Sequence, residues 1–324
     1  HLRLLALTSC AASLTVSSAV LLGWQFRLWR VVSLSPRFVA MKPITAVCFL
    51  LCGISLWLSR SRSKQTLVRL FFSRFAAFVV ALVGAATILE FAFTLDFSFE
   101  ALLFRQTLFA THLVHPGRMS AASAAAFVFL GLALLFLDLE TRKGVRPAQF
   151  FSLAVAFFSV INFLGYLYGV RDLYWTFGNT PMAVHTALLF LLLGLGALAV
   201  RPDRGILSVM TRPAVGARMA RQVLPAAVSL TVLLGWLGLL GQRMGLYHAE
   251  FGVALLVSCN IAVFSALIWL SARSLNSTAA ILDAAKEQLA LSEAHFRQLT
   301  ESLPQLIGTC RPDGLCDYLS RQWV

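Results

Sequence analysis

Met41-Lys-Pro-Ile-Thr-Ala-Val-Cys-Phe-Leu-Leu-Cys-Gly53 sets a pattern that this chain repeats twice with different filler. It returns as Met119-Ser-Ala-Ala-Ser-Ala-Ala-Ala-Phe-Val-Phe-Leu-Gly131 and as Met182-Ala-Val-His-Thr-Ala-Leu-Leu-Phe-Leu-Leu-Leu-Gly194. Four positions agree at steps of four: Met41, Thr45, Phe49 and Gly53; Met119, Ser123, Phe127 and Gly131; Met182, Thr186, Phe190 and Gly194. With 3.6 residues per turn, steps of four line up as one ridge, so each copy predicts an apolar helix with the same face specified. In lipid, close packing rather than water exclusion holds helices together, which is what small residues and cross-bonding hydroxyls serve. The repeat therefore reads as a packing ridge, with a pocket lined by the three methionines near the outer surface as the alternative. Three related helix hairpins and a fourth that leads out of the bundle are expected.

The whole chain agrees with a lipid setting. Its 324 residues are 59% hydrophobic and 13% charged, more apolar surface than one water-soluble core could hide. The net charge of +13 would suggest nucleic acid in a soluble protein. Here the basic residues cluster between apolar stretches, where they set orientation instead, and no nucleic-acid partner is expected. Cys10, Cys48, Cys52 and Cys259 fall in apolar stretches and Cys310 and Cys316 beyond them, with no metal spacing. All six are expected to be free thiols. A chain that starts at His1 and stops at Val324 reads as a piece of a longer polypeptide, and no cleaved signal peptide is expected before Trp24.

A crossing helix needs about 20 apolar residues, and eight stretches meet that within a few residues at each end. They are Leu4–Trp24, Val39–Leu58, Leu70–Leu89, Met119–Leu137, Phe150–Val170, Met182–Val200, Val223–Gly241 and Phe251–Leu270. The connections after the even-numbered stretches carry Arg60, Arg62, Lys64 and Arg69, then Arg142, Lys143 and Arg146, then Arg201, Arg204, Arg212, Arg218 and Arg221, and finally Arg273. Basic residues mark the cytoplasmic side, so both termini are expected there. Tyr166, Tyr168, Tyr174 and Trp175 suit an interfacial aromatic belt at the opposite side.

Chemistry-bearing residues are sparse. His185 is an ionisable residue placed within a span, about one turn from the outer end, joined by the polar Asn162 and Asn260; so little polar chemistry disfavours a proton relay or ion-coupled carrier. The outer segment after Phe91 reads as an amphipathic stretch in the headgroups, with Leu95, Phe99, Leu102 and Leu103 on one face and Asp96 and Glu100 on another. His112 and His115, with His248 as a possible third ligand, are the weak metal candidates, and a hydrated loop is the preferred reading. His295 lacks the surroundings of a phosphoacceptor, and no phosphate loop or nucleophile elbow occurs, so no catalytic residue is assigned.

From Ala272 the composition turns polar while Leu275, Leu282, Leu289, Phe296 and Leu303 recur every seven residues. That spacing predicts a left-handed coiled coil between two chains, weakened by Thr278, Ala285 and Ser292 at the d positions. Beyond it, Ile307-Gly-Thr-Cys-Arg, Pro312-Asp-Gly and Leu315-Cys-Asp-Tyr-Leu-Ser-Arg-Gln-Trp predict strand, turn and strand. Entry helix, strand, Asp-Gly hairpin and strand resemble the opening of a PAS sensory domain.

Leu95-Asp-Phe-Ser-Phe-Glu-Ala-Leu-Leu-Phe, His115-Pro-Gly-Arg-Met, Thr186-Ala-Leu-Leu-Phe-Leu-Leu-Leu-Gly, Gly165-Tyr-Leu-Tyr-Gly-Val-Arg and Gly241-Gln-Arg-Met-Gly-Leu-Tyr extend the likeness. Together they resemble the multi-span input regions of bacterial membrane sensor histidine kinases. The resemblance implies an all-α polytopic module of eight helices over 1–271, a coiled-coil signalling helix over 272–298 and the α/β start of a PAS domain over 296–324. It further implies an inner-membrane homodimer, a response regulator as partner, and ATP with Mg only in kinase domains farther along. Diguanylate cyclase output, or a transport or binding protein with a regulatory tail, are the alternatives.

Overall fold

The computed structural model describes residues 2–33, 38–60, 66–93, 118–142, 145–174, 180–201, 215–302 and 308–319. The chain forms two compact units, His1–Arg212 and Pro213–Val324.

The first unit contains α1 (Leu2–Gln25), the short α2 (Trp29–Ser33), α3 (Pro43–Ser59), α4 (Leu67–Phe93), α5 (Ala121–Leu135), α6 (Pro147–Tyr168), the short α7 (Arg171–Tyr174) and α8 (Val184–Ala199). Neighbouring helices close a ring in the order α1, α3, α4, α5, α6, α8 and back to α1. α3, α5 and α8 also touch one another, so they form an inner triangle with α1, α4 and α6 outside it. Each outer helix pairs with the inner helix that follows it, which realises the three expected hairpins.

Among the described residues, five helices are long and apolar enough to cross a membrane, in α1, α4, α6 and the two helices of the second unit. The three inner helices are apolar but shorter, with 17, 15 and 16 residues. At 1.5 Å per residue they measure about 22–26 Å against a hydrocarbon core of about 30 Å. Ring burial makes this tolerable, because non-helical backbone survives at membrane depth where protein rather than lipid surrounds it. The chain is an all-α membrane protein in this unit.

One prediction needs correction here. Met41, Met119 and Met182 do not lie on the helical ridge, because α3, α5 and α8 begin two residues after them. The capping residues Lys42, Ser120 and Ala183 are extended, with φ/ψ of −73/149, −68/150 and −72/151. Pro43 at the first helical position disfavours a helical Lys42, and the Ser120 hydroxyl accepts the Ser123 N–H as a side-chain cap. Ala183 offers no such group. There the N–H of Met182 donates to Tyr174 O and the Tyr166 hydroxyl donates to Met182 O, fixing the entry strand from outside.

The second unit holds α9 (Val215–Arg243), α10 (Ala249–Ser302), β1 (Gly308–Cys310) and β2 (Cys316–Leu319). α9 and α10 pair as the fourth hairpin. Tyr247, in their connection, lies against Gly241 and Gly252 and donates its hydroxyl to Gly238 O at 2.7 Å. β1 and β2 are antiparallel, joined through an Asp-Gly turn in which Gly314 has φ 87 and Asp313 accepts the Leu315 N–H. That conformation favours glycine, as the dipeptide predicted. Cys310 and Cys316 depart from expectation: they are register partners across the hairpin and form a disulfide.

Candidate functional site

The repeated residues converge on the axis of the inner triangle. Phe49, Phe127 and Phe190 are fully buried and each ring meets the other two, with centroids 4.9, 4.6 and 4.6 Å apart and planes 59–62° from one another. Tilted and edge-on contacts of this kind suit the charge distribution of aromatic rings. One turn before them, Thr45, Ser123 and Thr186 are buried, and the alanines that follow, Ala46, Ala124 and Ala187, have no exposed surface. Met41, Met119 and Met182 are also buried, at the ends of the entry strands.

The glycines point outward from the axis to the preceding outer helix. A Cβ on Gly53 would meet Leu14 and Ser13 of α1, one on Gly131 would meet Ala77 and Ala81 of α4, and one on Gly194 would meet Ser152 and Ala156 of α6. Each copy thus uses Phe to reach its sister helices and Gly to admit its own hairpin partner. Gly84 of α4 meets Ala124 and Val128 in return, which brings α4 and α5 together from both sides.

Polar groups hold both ends of the triangle. At the entry end, Trp24 Nε1 donates to Met41 O at 2.8 Å and Tyr166 to Met182 O at 2.6 Å. The middle hairpin substitutes an ion pair, Arg118 with Glu90 at 3.6 Å, and stacks the guanidinium 3.7 Å from the Phe91 ring. At the exit end Arg201 follows α8, donates Nη2 to Ser59 O and Nη1 to Arg60 O at the end of α3, and pairs with Asp138 just beyond α5 at 3.0 Å. One side chain therefore ties all three inner helices where their carbonyl ends leave partial negative charge. Beside it Arg146 pairs with Glu140 at 3.1 Å, and Ser55, Ser59 and Ser73 bond across α3 and α4.

His185, the second residue of α8, is buried and neither ring nitrogen has a partner among the described residues; Asn162 Oδ1 likewise has none there. A buried polar atom left unbonded in an apolar setting is costly and marks a place where a ligand or proton can act. His112, His115 and the amphipathic stretch around them lie outside the described residues. His248 is exposed at the start of α10, and no group of three His, Cys, Asp or Glu converges among the described residues.

The sequence-defined seam lies on α10, which runs unbroken for 54 residues, about 80 Å. Leu275, Leu282, Leu289 and Phe296 are all exposed, at 43–70%. Phe296 faces Tyr318 with centroids 6.0 Å apart, and Thr300 shares a hydrogen bond with the Tyr318 hydroxyl, so β2 packs back on the end of the helix. Leu303 lies outside the described residues. No family model, characterised protein or solved structure matches the chain.

Sequence reasoning missed Arg201 as a clasp and read it only as a topology signal. Its partner Asp138 is 63 residues away, and the acids set among the basic residues between α5 and α6, Asp138 and Glu140, were the available hint.

Proposed function

We propose that this chain is the membrane-embedded input portion of a bacterial sensor histidine kinase. It crosses the inner membrane eight times with both ends cytoplasmic, forms a homodimer, and leads through α10 into a PAS domain and then the kinase and its response regulator. The observation that carries this reading is the continuity of α10: one helix begins as an apolar span and ends as a polar seam with exposed leucines at intervals of seven. A stiff rod of this length passes a shift or rotation without needing a hinge. The small and polar d positions keep the coil weak enough to switch. The six-helix ring is the receiving part in this reading, and His185 is a point where a stimulus acts on it.

The Cys310–Cys316 bond pulls the other way, because disulfides persist mainly in oxidising compartments. A cytoplasmic tail would hold both as thiols and leave the Asp313 turn and the β1–β2 pairing to hold the hairpin.

The test is helical phase. One residue inserted after Ala284 rotates everything beyond it by about 100°, while seven restore the register. In the protein with its output domain, the single insertion is expected to change phosphorylation of the response regulator strongly and the seven-residue insertion to preserve it. Equal indifference to both contradicts the reading.

A further inference from the structure

We propose that a groove on the outside of α4, centred on Arg74, binds one anionic phospholipid of the leaflet in which α4 begins. The inference rests on the membrane character of the chain and stands or falls apart from the signalling reading.

α4 divides its surface sharply. Ser73, Ala76, Ala77 and Val80 pack into the ring, while Phe71, Phe72, Phe75 and Phe78 face outward, each more than half exposed. Between them Leu67, Leu70, Phe71, Phe75, Phe78 and Leu135 of α5 surround Arg74 in an open groove of about 530 Å³. That size falls within the range of small-molecule sites, and the lining is apolar apart from one cation.

Arg74 is the unusual member. Arg69, one and a half turns earlier on the same helix, donates to Trp57 O at 3.3 Å. Arg74 has no hydrogen bond, ion pair or ring contact among the described residues, although it lies within an apolar span. A charge facing lipid is tolerated when it reaches the headgroup layer or finds a counter-charge. Arg74 sits about 10 Å along the axis from the first residue of α4, close enough for its long side chain to rise toward a phosphate. The groove offers acyl chains apolar walls directly below that phosphate. The basic residues Arg60, Arg62, Lys64 and Arg69 precede and open α4, which places this end at the cytoplasmic leaflet, where anionic lipids concentrate. A phosphate accepts two hydrogen bonds from a guanidinium, so an anionic lipid with no positive headgroup of its own answers the site's charge, and a zwitterionic lipid answers it less well.

The experiment uses the full chain in neutral detergent, titrated with phosphatidylglycerol, phosphatidylcholine or inorganic phosphate, with bound lipid counted by native mass spectrometry and stability followed by thermal melting. Retention of one phosphatidylglycerol and a raised melting temperature are expected, with phosphatidylcholine and phosphate giving little of either. Arg74→Gln is expected to weaken phosphatidylglycerol binding at least about ten-fold. Arg74→Lys, which keeps the charge but not the paired donation, is expected to bind between the unsubstituted chain and Arg74→Gln. Arg273→Gln, which removes a cation stacked on Trp269 elsewhere, leaves binding unchanged. Equal binding of phosphatidylcholine, equal stabilisation by phosphate alone, or equal losses in Arg74→Gln and Arg273→Gln would each overturn the proposal.

Discussion

The six-helix ring and the α9–α10 hairpin have similarly apolar helices but bury them in opposite ways. In the ring, Phe49, Phe127, Phe190, Leu130 and Leu193 are completely enclosed, and the spans α1, α4 and α6 are about one-third buried. In α9 and α10 the spanning windows have no buried share, and Trp236, Phe251, Ile261 and Trp269 lie open. Apolar composition decides only that a helix belongs in lipid. Whether it also has a protein partner depends on the small residues and hydroxyls that let backbones approach, which the ring repeats three times. The ring is thus complete within one chain. The second unit leaves its apolar surface open, and the proposed dimer would cover the leucines along the polar end of α10.

The sharpest way to break this contrast is to remove a ring at the axis. Phe190→Ala opens space that no neighbour can fill and is expected to cost about 3 kcal/mol, the lower end for a buried phenylalanine because lipid supplies no hydrophobic penalty. Trp236→Ala, on an exposed face of α9, is expected to change stability by less than about 0.5 kcal/mol. Thermal melting in one detergent compares them, and equal losses would mean the axis is not the core.

A smaller effect separates the second hairpin from the first. A Cβ on Gly131 would lie 2.8 Å from Ala77 O and from Ala81 Cβ, so Gly131→Ala must push α4 away and is expected to cost about 1–3 kcal/mol. On Gly53 it meets only the Leu14 and Ser13 side chains at 3.2 Å, which can yield, and the cost stays below about 1 kcal/mol. The reverse order in melting experiments would contradict the packing described.

The smallest effect concerns the tail. Cys310→Ser is expected to leave melting of the ring unchanged. In cells, Cys310 and Cys316 are expected to react with a membrane-impermeant maleimide only after the membrane is opened. Labelling from outside, or an unreactive oxidised pair, would invert the proposed topology.

Much of the ring was legible because its logic is local and repeated. The repeated positions Thr45, Phe49 and Gly53 and their counterparts marked helices with a common specified face, but not that the Phe rings meet one another while the glycines meet the preceding helix. The methionines were misplaced because an apolar residue reads alike in a helix or a buried extended strand. Pro43 and Ser120 signalled the true starts, but Ala183 carried no local sign, since Tyr166 and Tyr174 hold that segment from another helix. Arg201 was opaque for the same reason: its three attachments come from helices distant in sequence. The α10 seam was legible from its period alone, whereas the Cys310–Cys316 pairing depends on strand register, which spacing does not fix.

Whether the exposed leucines of α10 meet a second copy can be read by cysteine cross-linking in native membranes. Single cysteines replace Leu282, Leu289 and, as an off-seam control, Glu287, in a background with the six natural cysteines changed to serine or alanine. Covalent dimers are expected at Leu282→Cys and Leu289→Cys and little or none at Glu287→Cys, a yield that follows the seven-residue period. Uniform cross-linking at all three positions, or none at any, would contradict it.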